Sequence, residues 1–196
     1  MAPQRIVDSV VEAITEHDRR DIEAVAKFAN RMGDLQHNLD LAQRYDMPDA
    51  FLTNEVDKPM HMLTTEALEF QTRNSLARSL LTALGLFGHL SWVRSPLSAA
   101  ALGDLARSMK ATMVESEVRT CWSLHWTQWQ LLLGCVTATD FATRACFRGA
   151  LIAAWRALEV TSWEDVEILL GKTLRPGTDL FMGRMRAIWE ELEVEL

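Results

Sequence analysis

Cysteine is scarce in this chain, with three in 196 residues and no C-x-x-C pair. So few, unevenly placed thiols supply neither a disulfide framework nor a zinc site, and they point to a reduced, intracellular protein of the cytoplasm or nucleus. Nine glycines and five prolines are also few, which excludes collagen-like and linker-like chains and most β-rich architectures. Basic residues are outnumbered: 20 Lys and Arg stand against 27 Asp and Glu, a formal net charge of −7. A protein that grips nucleic acid neutralises phosphates with a basic face, so direct nucleic acid binding is not expected. Missing too are H-E-x-x-H, G-x-S-x-G and G-x-x-x-x-G-K-[ST], which removes zincin, α/β-hydrolase and P-loop chemistry. Asp40, Asp46 and Asp49 form the nearest acidic cluster, and their spacing does not match an aspartate-rich pyrophosphate motif. Neither a cofactor nor a resident metal is expected.

Long apolar runs are limited. Arg5, Asp8 and Glu12 interrupt the N-terminus, which therefore lacks the apolar centre of a signal peptide. Two stretches carry no acidic or basic side chain, one between Arg78 and Arg94 and one from Thr120 to Thr139. The first is too short to span a bilayer. The second has the length but contains His125, Gln128, Gln130 and several hydroxyls, and so reads as a buried helix rather than a span. The expectation is a soluble protein with no membrane partner.

What the sequence does have is helical periodicity and no strand alternation or internal repeat. Ile6, Val7, Val10, Val11 and Ile14 recur at spacings of three and four. Asp18 can cap a following helix through Ile22, Val25, Ala26, Ala29 and Met32, with Leu35 and Leu39 extending the line past Gly33 in one bent helix or two. Asp46 to Pro59, with two prolines and several turn formers, is the most loop-like segment and the candidate for a lid over a pocket or a plain surface loop. Leu76, Leu80, Leu84 and Phe87 form the next line, with Gly85 and Gly88 leaving room for a close helix approach or a bend. Ser95–Pro96 reads as a helix start, followed by Leu97, Ala101, Leu105, Met109 and Met113. Further helices are expected over about 117–136, from an Asp140 cap to about Leu158, from Ser162 with Asp165 as a capping box, and through Phe181, Met185, Ile188, Trp189 and Leu192. The expected fold is all-α, one domain over 1–196 with seven to nine helices. Its first 60 residues carry a net −5 as acidic helices and a loop, residues 61–162 a net +2, and residues 163–196 a net −4.

The richest segment is RTCWSLHWTQWQLLLGC, from Arg119 to Cys135. Arg119, Trp122, Trp126 and Trp129 share one helix face, so three indoles and a guanidinium line either a ligand pocket or the core. Cys121 and His125 stand at i, i+4, but two ligands do not make a metal site. His125 among indoles is the first candidate for a general base, since burial keeps an imidazole neutral near pH 7; His89, in the other uncharged stretch, is the second. A core histidine bonded to a neighbour is the alternative for both. Asp140, Arg144 and Arg148 follow at successive i+4 steps, a spacing that suits an ion-pair ladder.

The C-terminal half of the chain, most securely from residue 122 on, resembles the C-terminal part of the fungal-specific transcription factor domain, the helical regulatory region of zinc binuclear cluster regulators. The resemblance spans roughly residues 78–195. It rests on Trp129 to Gly134, Arg144 with Phe147, Ser162–Trp163–Glu164–Asp165–Val166 followed by Leu169–Leu170, and Ile188–Trp189–Glu190–Glu191. No six-cysteine cluster and no basic linker precede it, so DNA reading is not carried over, and Leu174–Arg175–Pro176–Gly177 departs from the family pattern. The resemblance implies a helical fold, fungal origin, secondary metabolism, and a capacity for small molecules or protein partners. Two functions follow. One is a stand-alone module that binds an apolar small molecule or a protein partner, with self-association as a homodimer. The other is a cofactor-free cyclase, isomerase or dehydratase of natural-product biosynthesis. There the indoles would shape the substrate, His125 or His89 would move the proton, and Arg119 would polarise a carbonyl.

Overall fold

Two helices without a formally charged side chain over most of their length form the centre: α3 (Ser75–Ser91) and α5 (Leu124–Thr137). A helix apolar on every side has no face to give to water and is buried all round. In the computed structural model, which describes residues 16–91, 97–115, 124–174 and 179–195, that is where both lie. Around them run α1 (Glu16–Arg44), α2 (Lys58–Glu69), α4 (Ala99–Glu115), α6 (Phe141–Ala157), α7 (Trp163–Gly171) and α8 (Asp179–Leu192). The fold is all-α, with these eight α-helices and no strand among the described residues. α3 packs against α1, α2, α4 and α5, while α5 meets α4, α6, α7 and α8. The starts expected at residues 5–16, at Ser95–Pro96 and over 117–123 lie outside the described residues, apart from Glu16.

α1 is one continuous helix through Asp18 and Gly33, roughly 43 Å long at 1.5 Å per residue. Ile22, Val25, Ala29 and Met32 are its buried stripe. It ends with Asp46 in the left-handed region (φ 48°), and the Met47 N–H reaches back to the Ala42 carbonyl at 2.9 Å. That is a Schellman closure built without glycine, on a residue type that tolerates the conformation.

The expected loop from Asp46 to Pro59 is mostly helix. After the turn at residues 45–48, a helical turn (Asp49–Phe51) runs through a π-helical stretch (Leu52–Asp57) directly into α2. Proline explains the widened turn, since Pro59 has no N–H to continue the ladder; just before it the Lys58 N–H bonds five residues back, to Thr53. Val56 and Met60 are completely buried there. This segment is part of the packed wall, which removes it as a lid.

The two glycines of α3 allow the close approach that their spacing suggests. A Cβ on Gly85 would sit 2.3 Å from Leu68 Cδ2, and one on Gly88 2.0 Å from Thr64 Oγ1, so α2 lies in a glycine notch. α6 opens on Asp140, whose Oδ1 accepts the Thr143 N–H at 2.8 Å. α7 opens on the reciprocal capping box of Ser162 and Asp165.

Candidate functional site

Of the residues singled out on α5, Arg119, Cys121 and Trp122 lie outside the described residues. Trp126 and Trp129 are in the core. Their rings meet edge to face at 5.2 Å, and Trp129 continues to Phe87 at 5.6 Å, which in turn lies 6.3 Å from Phe181. The Trp129 Nε1–H donates to the Leu174 carbonyl at 3.1 Å, so this indole's only donor is already used. Both indoles lie in the packed core, and Trp129 joins α5 to α3 and to the segment after α7.

His125 is half-buried, and its Nδ1 is buried with no hydrogen-bond partner. Loss of hydration, with a smaller push from the Lys172 ammonium, holds its pKa below the ordinary histidine value. One turn on, Gln128 is fully buried; its Oε1 accepts the Trp155 Nε1–H at 3.3 Å, and its Nε2 has no partner. His89 on α3 is buried, also with an unpartnered Nδ1, and its pKa is lowered by burial and then by His61. Both imidazoles are thus neutral near pH 7, as a proton acceptor must be. Burial pushes the Cys135 thiol up to about 12, which leaves it inert as a nucleophile.

The ladder expected within α6 forms between helices instead. Asp140 caps its own helix and takes Arg107 of α4 at 3.2 Å. Arg144 pairs with Glu191 of α8 at 2.8 Å, and Arg148 bridges Glu191 and, at 2.9 Å, Glu195. The basic side chains of α6 project toward α8, and that orientation is why partners across the interface replace partners along the helix. Among the described residues no group of three His, Cys, Asp or Glu side chains is placed to hold a metal ion. No described helix is long and apolar enough to cross a membrane.

A concave site does exist, at residues to which the sequence drew no attention. An open groove of about 440 Å³ runs beside α1, lined by Ala24, Lys27, Phe28, Asn30, Arg31 and Phe70. Phe70 ends α2 in an extended conformation, and this turns its ring onto Phe28, edge to face at 6.0 Å. Lys27 and Arg31 stand one turn apart on the rim. Arg31 makes a single contact to Glu66, at 3.5 Å between half-exposed groups, a pair that contributes little.

Compared with known protein families, with curated proteins and with solved structures, the chain matches none.

Proposed function

We propose that this chain is a stand-alone helical module that binds an apolar small molecule or a regulatory protein partner without converting it and without reading DNA itself. One observation carries this: the concave site lies on the outside of the helix array, between α1 and the end of α2, with an aromatic floor and no histidine, carboxylate or cysteine in its lining. The resemblance to the fungal transcription factor domain supports the same reading and suggests secondary metabolism as the setting. Trp126 and Trp129 add to it, since both are occupied in packing and Trp129 has no donor left for a ligand.

The enzyme alternative keeps one specific observation in its favour, the unpartnered Nδ1 atoms of the two neutral histidines. A cyclase, isomerase or dehydratase would use such an atom to take or return a proton. Incubation of the purified chain with a metabolite extract of its source organism separates the two. The module retains a compound of unchanged mass in native mass spectrometry. An enzyme depletes a compound and replaces it with an isomer or with a product lighter by one water, and the His125→Ala variant loses that conversion.

A further inference from the structure

We infer that the groove beside α1 is the binding site of a small amphipathic organic anion, its apolar body on Phe28 and Phe70 and its carboxylate or sulfonate between Lys27 and Arg31. The inference deepens the module reading and rests on it. Ala24, Lys27, Phe28 and Arg31 stand at i, i+3, i+4 and i+7, so they form one stripe of α1. That stripe is separate from the buried one through Ile22, Val25, Ala29 and Met32. Ala24 contributes no side chain beyond Cβ, which leaves the depression open beside the two rings. Asn30 flanks it.

The unspent polar groups of this lining are mainly donors. Among the described residues Lys27 makes no ion pair, and the carboxylate one turn before it, Glu23, pairs with Arg19 at 3.1 Å. Arg31 spends one N–H on a long, exposed contact to Glu66 and has the others left. Among the described residues the Asn30 amide has no hydrogen-bond partner. Donors in excess of acceptors select a ligand whose polar end accepts, and two cations one turn apart select an anion. They do so inside an acidic part of the chain, where residues 1–60 carry a net −5. The volume is near the lower end of the range for organic-ligand pockets, ~300–1,000 Å³, which suits two fused rings or a short acyl chain. An open groove leaves one side of the ligand wet, so binding is micromolar rather than nanomolar.

Two fluorescent probes with one aromatic body test this: 1-anilinonaphthalene-8-sulfonate, an anion, and N-phenyl-1-naphthylamine, which is uncharged. Titrations use the full chain, Lys27→Glu as a charge reversal at an exposed position, and Ala24→Trp as a filled groove, with circular dichroism checking that each folds. The sulfonate is expected to bind the unaltered chain more tightly than the amine and to weaken as salt rises. Lys27→Glu should weaken the sulfonate about tenfold and leave the amine within about twofold, while Ala24→Trp removes both. Equal affinity for the two probes overturns the proposal, as does a sulfonate affinity unchanged by either substitution. If Lys27→Glu still retains a cellular compound as the unaltered chain does, this groove is excluded while the module reading stands.

Discussion

Trp129 joins three parts of the molecule through one side chain: its ring packs on Trp126 and Phe87, and its N–H satisfies the Leu174 carbonyl. Trp129→Phe keeps an aromatic ring but leaves a buried carbonyl unpaired and a gap where the larger indole stood. The expected cost is about 2–3 kcal/mol, read from the midpoint of urea unfolding with an unchanged slope. The two histidines make stability depend on pH in a defined window. In the unfolded chain they protonate near 6.5, and in the folded chain burial holds both lower. Below about pH 6.5 the unfolded state therefore binds more protons, and stability falls as pH drops; above about pH 7 both states are neutral and the term vanishes. Asp140 and Asp165, held low by N–H groups of their caps, contribute stability that is lost only in the carboxylate range, below about pH 4. Unfolding midpoints measured between about pH 7 and pH 5 should decline, and His89→Gln should flatten part of that decline. An identical slope in the variant contradicts the assignment.

At the scale of helices, the strongest test is at the contact of α5 with α6. A Cβ on Gly134 would lie 2.6 Å from three atoms of the Phe147 ring, which is itself buried and held on all sides. Gly134→Ala must separate the two helices and is expected to destabilise by about 1–3 kcal/mol despite alanine's better helix propensity. Ser162→Ala, which removes half of the capping box of α7, should cost about 1 kcal/mol in the same measurement. The two helix caps were legible because they are local. Asp140 and Thr143, or Ser162 and Asp165, meet within three residues of chain, and any helix starting there needs them. The segment around Pro48 and Pro59 was illegible for the opposite reason. Its prolines and turn formers argue for a loop, yet Val56 and Met60 are drawn into the core, and a π-helical turn absorbs the missing N–H of Pro59. Tertiary burial outweighed local preference.

Over the whole molecule, charge separates what is inside from what is outside. The two stretches without formal charge become α3 and α5, and the basic side chains of α6 meet the acidic end of α8 in an exposed ion-pair ladder. The buried pair follows from reading charge along the chain; the ladder between helices does not, since the spacing of Asp140, Arg144 and Arg148 pointed to pairs along α6. The groove does not, because Phe28 and Phe70 lie far apart in sequence and come together only when α2 folds back on α1. The indole stripe was visible, but periodicity alone does not say whether a face meets a cavity or a helix. Here Phe87 and Leu174 supply the answer for Trp129. The central claim, binding without conversion, is tested most directly by measuring how much of a retained metabolite disappears per mole of protein over time. A module predicts uptake that saturates in proportion to protein and returns the same compound on denaturation. Loss that keeps growing beyond the amount of protein, with a new product accumulating, would contradict it.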